Sequence, residues 1–253
     1  FPREFHSKIE VIHDGIDTDI LKPEQGGTRT GDEIVTYAAR NLEPYRGFHS
    51  FMRALPAVLR ERPNAQVHIV GGDGVTYGNP PTDHANWREA MLAEVGSRLD
   101  LSRVHFCGWL NYEGYVDLLR RSSAHVYLTY PFVLSWSILE AMALGCHVIG
   151  SETPPVQEVL QDGINGSLTP FAEPRVLAER IIEALAQPAR FKSVRRNARQ
   201  TIVDNYDLKR VVLPAQDALL ERHLPGFLAG APRSSRDGMA IRTPRNVREV
   251  AHV

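Results

Sequence analysis

Five short runs rich in β-branched and apolar residues, 34–39, 67–71, 104–108, 124–130 and 147–150, alternate with longer segments of helical period. This alternation constrains the fold more than any other feature. A strand, a crossover helix and a second strand give parallel pairing, and both faces of such a sheet are then covered by helices. The clearest helical segment carries Phe48, Phe51, Met52, Leu55, Val58 and Leu59 at spacings of three and four, with Pro56 expected to kink it. Further helices are expected over 87–99, 112–121, 137–144, 156–160 and 175–186, with two more across 190–222. Right-handed crossovers make the expected fold an α/β, Rossmann-like, doubly wound parallel sheet.

The chain has 253 residues, is 43% hydrophobic and 23% charged, and carries a formal net charge of -1. Such a balance suits a soluble globular protein, and nothing in it asks for nucleic acid. Cys107 and Cys146 lie in apolar segments and read as buried thiols of a reducing, cytoplasmic compartment. No run has the length of a membrane span. Residues 1–30 read as a lead-in or interdomain linker with a Gly-rich loop at 24–32, and residues 31–222 as the Rossmann-like domain. Residues 223–253 read as a polar, Arg-rich tail. From Leu224 the tail has five arginines against Asp237 and Glu249, so it is either a solvated segment or one that favours an anionic membrane surface. The first residue is Phe1, which suits a piece of a longer protein.

Ligands of such sheets bind outside the C-terminal strand ends, so the loops there are the place to search. "ARNLEPYRGF" (39–48) follows the first strand and sets Arg40 and Arg46 around a short loop that leads into a helix. Two guanidinium groups at a helix N-terminus suit a phosphate or diphosphate. The alternative is an exposed Arg46 and an Arg40 paired with Glu43. "GGDG" (71–74) lacks the third glycine of a dinucleotide fingerprint and reads as a tight turn. Asp17 and Asp19 of "DTD" (17–19) read as caps of a turn. The ten histidines show no zinc spacing, so no metal site is expected. In "TYPFVLSWSILEAMALGC" (129–146) the single carboxylate, Glu140, has two readings. It closes a capping box with Ser137 as N-cap, or it accepts hydrogen bonds from the vicinal hydroxyls of a ligand.

Four segments in order resemble the C-terminal, donor-binding half of a GT-B glycosyltransferase of the large retaining family 4. They are "KIEVIHDGIDTDILKP" (8–23), "ARNLEPYRGF", "VHFCGWLNYEGYVDLLRRSSAHVYLTYP" (104–131) and "LEAMALGCHVIGSETPPVQEVLQDGINGSL" (139–168). In the first, His13 and Asp14 stand where the family has Pro and Asn; in the second, Ala39 and Arg46 replace Gly and Lys. The resemblance implies that Arg40 and Arg46 hold the donor diphosphate and that Glu140 holds the ribose. It also implies that backbone around Leu134, Ser135, Trp136 and Ser137 approaches the donor, and that the loop Gly108, Trp109, Leu110 lies near the base. The implied reaction is metal-independent transfer of a sugar, with retention, from a UDP- or GDP-sugar. No cofactor is implied beyond that substrate, and the acceptor is left open among a glycan, a lipid-linked sugar and a small molecule.

Two departures qualify this. Phe132 stands where the family carries a second glutamate, eight residues before Glu140, and "FVLS" replaces a small turn. Nothing in the sequence resembles the N-terminal acceptor domain, so weak transfer by this chain alone is expected. The competing reading is a catalytically lapsed nucleotide-sugar-binding or assembly module of the same fold.

Overall fold

β1 (Ile34–Asn41) is the central strand, with Tyr37 aligned to Ile69 of β2 (Gln66–Gly72) on one side and to Val126 of β4 (Ala124–Tyr127) on the other. β3 (Val104–Gly108) extends the sheet beyond β2, and β5 (Val148–Ser151) and β6 (Ser167–Thr169) extend it beyond β4. The order is β3-β2-β1-β4-β5-β6 and every pairing is parallel. This is the expected doubly wound sheet, and its order reverses between β1 and β4, where loops diverge and leave a crevice. The computed structural model describes residues 2–23 and 33–226. The Gly-rich loop at 24–32 and the tail beyond residue 226 lie outside the described residues.

The central strands β1, β4 and β5 are buried on both faces, as apolar runs flanked by helices require, whereas the edge strand β3 is mostly half-buried. One face carries Val35, Tyr37 and Val67 against α1 (Phe48–Glu61) and α6 (Pro174–Ala186). The other face carries Ala38 and Val148 against α3 (Tyr112–Arg121), α4 (Trp136–Ala143) and α7 (Lys192–Asn205). α2 (Trp87–Val95) packs beside α1; α5 (Pro154–Gln157) is a single turn after β5; α8 (Leu213–His223) follows a π-helical turn at Leu208–Val212.

α1 runs through Pro56, with Phe51, Met52 and Leu55 before the proline and Val58 and Leu59 after it buried on the sheet. β4 stops at Tyr127, three residues short of the apolar run, because the chain turns there toward α4. β6 was missed, since "SLT" is too short to stand out as a strand; pairing with β5 makes it one. The C-terminal end of the described lead-in packs into the core. Ile16 and Leu21 are buried with α4 and α7, Ile16 N–H donates to Tyr206 O at 2.8 Å, and Leu208 N–H donates to Ile16 O at 2.9 Å. Asp17 caps its own turn as expected, its Oδ1 accepting from the Asp19 N–H at 3.1 Å and the Ile20 N–H at 3.3 Å.

Candidate functional site

The loop after β1 turns sharply at Gly47, whose φ of 71° is left-handed. A Cβ there would lie 2.4 Å from Leu128 Cβ, so the turn presses directly against the β4 end. The buried Tyr37 donates its hydroxyl proton to Arg46 O at 2.7 Å and ties the turn down from below. Arg46 then spans the crevice. Its Nη1 donates to Thr129 Oγ1 at 2.9 Å and to Val133 O at 3.1 Å, and its guanidinium carbon lies 5.2 Å from the ring centre of Tyr77. A cation is thereby fixed between the C-terminal ends of β1 and β4, with directional N–H groups and a planar face.

Tyr77 is held there by Glu43. That carboxylate is buried, and its Oε2 accepts from the backbone N–H groups of Thr76, Tyr77 and Gly78 at 3.2, 3.1 and 3.2 Å. Glu43 therefore organises the loop after β2 and is committed well beyond the pairing weighed for it with Arg40. Arg40 stands half-buried at the end of β1.

Glu140 does not close a capping box. The N-cap of α4 is Ser135, with no side-chain cap, and Ser137 is already inside the helix, its Oγ 2.6 Å from Ser135 Oγ. One turn in, the Glu140 side chain points across to α3, where Tyr112 donates to Oε1 at 2.8 Å. Glu140 is 8% exposed, and burial raises its pKa above the usual carboxylate value against the lowering effect of the Tyr112 hydroxyl. Tyr112 itself is half exposed, so the pair sits at the crevice wall rather than beneath it.

The α4 N-terminus opens toward the same crevice. The Ser135 N–H donates to Tyr127 Oη at 2.8 Å and is thereby used, whereas no side chain caps the first amides of the helix at Trp136 and Ser137. Uncapped amides and the helix dipole favour an anion there. Trp136 turns its indole away, Nε1 donating to Asp14 Oδ2 of the lead-in at 2.9 Å. Leu134 lines a cavity of about 740 Å³ between the β4–α4 and β5–α5 loops, together with Phe132 and Val133. At the far wall Gly108 has a φ of 62°, the Trp109 indole lies on Gly72, where a Cβ would come within 2.7 Å of Nε1, and Leu110 packs on the core under α3.

Structure thus brings Arg46 to the β4–α4 loop and Glu140 to α3. Gly108, Trp109 and Leu110 stand at the β2–β3 edge of the crevice. Thr129, Tyr77 and Tyr112 are not singled out by the sequence, and Glu43 is singled out only as a partner for Arg40. They lie 28–83 positions from the residues that they support, and nothing local marks those contacts. Among the described residues no three His, Cys, Asp or Glu side chains come together as a metal site.

Solved glycosyltransferases of the GT-B type carry this Rossmann-like fold. HepE of Anabaena in complex with UDP-glucose aligns with a TM-score of 0.68 at 21% identity, over 83% of this chain and 57% of that one. The C-terminal domain of a glycosyl transferase group 1 family protein, LpcC, from Francisella tularensis aligns with a TM-score of 0.64 at 16% identity, over 77% of this chain and 100% of that one. The chain belongs to the family described as Glycosyl transferases group 1, which matches residues 20–201. It is 25% identical over 205 residues to the glycogen synthase of Mycobacterium tuberculosis, and 28% identical over 181 residues to the phosphatidyl-myo-inositol mannosyltransferase of Mycobacterium leprae. These matches take in 81% and 69% of this chain but only 46% and 43% of the relatives, so the chain spans less than half their length.

Proposed function

We propose that this chain is the C-terminal, donor-binding half of a retaining family 4 glycosyltransferase. In this reading Arg46 and Arg40 neutralise the donor diphosphate, the α4 amides at Trp136 and Ser137 add donors, and Glu140 accepts from the ribose hydroxyls. The bond between anomeric carbon and diphosphate oxygen breaks, and the acceptor hydroxyl oxygen bonds to that carbon on the face the diphosphate leaves. The hydroxyl proton departs with the diphosphate. The arginines stabilise charge that grows on the leaving group, which is where fixed cations accelerate such a step most. Acceptor binding falls to a preceding domain, so this chain alone binds donor weakly and transfers poorly. A cytoplasmic location belongs to the same reading, with the Arg-rich tail able to approach an anionic membrane surface; no described helix is long and apolar enough to cross a membrane.

The carrying observation is Arg46, anchored to Thr129 and Val133 at the switch point of the sheet. Calorimetric titration of the chain with UDP, GDP and ADP and with their sugars tests it. Arg46→Ala is expected to weaken binding of the preferred diphosphate by about tenfold or more, the cost of a lost charge-assisted bond. A folded chain that binds none of them refutes the reading. Phe132 favours a second reading, a lapsed binding module, because it places hydrocarbon where a carboxylate is usual in the resemblance. Glycosyl transfer by the full-length parent protein rejects that one.

A further inference from the structure

The Glu140 carboxylate is buried beside the crevice. Among the described residues it has no ion pair and one hydrogen-bond partner, the Tyr112 hydroxyl, which donates to Oε1 at 2.8 Å. A buried carboxylate keeps its charge only where donors replace the water that it has lost. Tyr112 is the first residue of α3, where the Asn111 side chain accepts from the Gly114 N–H at 2.8 Å and fixes the turn. Its ring lies 6.3 Å from that of Tyr115, which is fully buried. The Tyr115 hydroxyl acts on the same carboxylate but completes no hydrogen bond. Burial and the charge of Glu140 raise the Tyr112 pKa, so its proton stays on the phenol and can be donated. Two other titratable groups act on these tyrosines. Asp17 of the lead-in, near Tyr112, is paired with Lys209, and the Cys146 thiol, near Tyr115, donates to Leu119 O at 3.1 Å.

An ionised carboxylate has about four acceptor sites on its two oxygens. Tyr112 takes one, which leaves enough for a pair of ligand hydroxyls. Without the Tyr112 hydroxyl the carboxylate is free to turn and takes up a proton more readily, and a protonated carboxyl is the poorer acceptor.

We infer that Tyr112 is the positioning residue of this subsite, its hydroxyl holding the Glu140 carboxylate in place to accept from the ribose hydroxyls of a nucleoside. This rests on the donor-binding reading above and adds to it the residue on which ribose recognition depends.

The test titrates the intact chain with UDP, GDP and ADP, then compares the one that binds with its 2′-deoxy and 3′-deoxy forms. The weaker deoxy form is expected to bind about tenfold less tightly than the ribose form at neutral pH, the cost of one bond to a charged acceptor. Tyr112→Phe removes only a hydroxyl from a half-exposed ring and is expected to bring that ratio down to about threefold. A Tyr112 that merely supported the fold would weaken ribose and deoxy forms alike; an unchanged ratio therefore overturns the inference. The pH profile is a second readout, since titration of the phosphates is common to both forms and cancels in the ratio. As pH falls, protonation of Glu140 lowers the ratio, and in Tyr112→Phe this loss begins at a higher pH because an influence that lowers the Glu140 pKa is gone. Coincident profiles for the two proteins also overturn the inference. A ratio near one in the unaltered chain removes Glu140 from the ribose, and Tyr112 with it, while the diphosphate reading of Arg46 stands. Failure of all three nucleoside diphosphates to bind refutes the donor-binding reading itself.

Discussion

Arg46 shows how much one side chain depends on neighbours distant in sequence. Its guanidinium is useful to an anion because Thr129 and Val133 hold it from one side and Tyr77 from the other. The backbone under it depends on Gly47, which meets two demands at once: a left-handed φ of 71° and a gap against Leu128 too small for a Cβ. Gly47→Ala is therefore expected to destabilise the fold by about 2–4 kcal/mol, strain and overpacking together, read as a lower midpoint in urea unfolding. Glu140 makes a different point. A capping role and a ligand role were both legible for Glu140, and the helix start two residues earlier, at Ser135, removes the first.

At the scale of elements, the β4–α4 unit carries the site at one end and a buried polar pair at the other. His125 and His147 begin β4 and the approach to β5, joined by the His125 N–H donating to His147 O at 2.9 Å. Both rings are buried. His125 Nδ1 lies 2.9 Å from Thr36 Oγ1, His147 Nε2 lies 2.9 Å from Ser167 Oγ, and the His147 ring stacks on Phe191 with centroids 4.1 Å apart. Burial pushes the His125 pKa down to about 4 and, with Arg195 and Arg180 nearby, that of His147 down to about 3. Between the ordinary histidine pKa near 6.5 and these values the unfolded chain binds protons that the folded chain refuses. Stability from these rings is thus complete above about pH 6.5 and is lost as pH falls toward about 4 and then about 3. Glu140 acts in the opposite sense, its raised pKa favouring the folded state as pH falls. The histidines are the larger effect, and His125→Asn with His147→Asn is expected to flatten the acid limb of thermal melts taken from pH 7 to pH 4.

The whole molecule closes on its own lead-in. Arg199 of α7 donates to Thr18 O at 3.1 Å, Leu21 O at 2.9 Å and Ala143 O at 2.7 Å, joining the lead-in, the end of α4 and α7 at one guanidinium. Thr18 also donates its hydroxyl proton to the buried Asp207, and Arg210 bridges Asp207 and Asp19 at 2.8 Å each. Arg199→Met leaves three carbonyls short of a donor and is expected to cost about 1–3 kcal/mol, with earlier proteolytic cleavage within residues 2–23 as the local readout. What was legible beforehand follows from local physics. Hydrophobic period marked five of the six strands and the helices between them. Turn chemistry marked the loop after β1, and Arg40, Arg46 and Glu140 were conspicuous as charges in or beside apolar runs. None of that period records which distant side chains meet. The pairing that made "SLT" a strand, the three amides that fix Glu43, the Tyr112 hydroxyl on Glu140 and the edge-on contact of Tyr77 with Phe132 join residues 18 to 55 positions apart. The sequence by itself determined an alternating α/β chain with cations and a carboxylate at its strand ends. Only the tertiary structure decided which partners those charges have, because burial and hydrogen bonding are properties of neighbours in space.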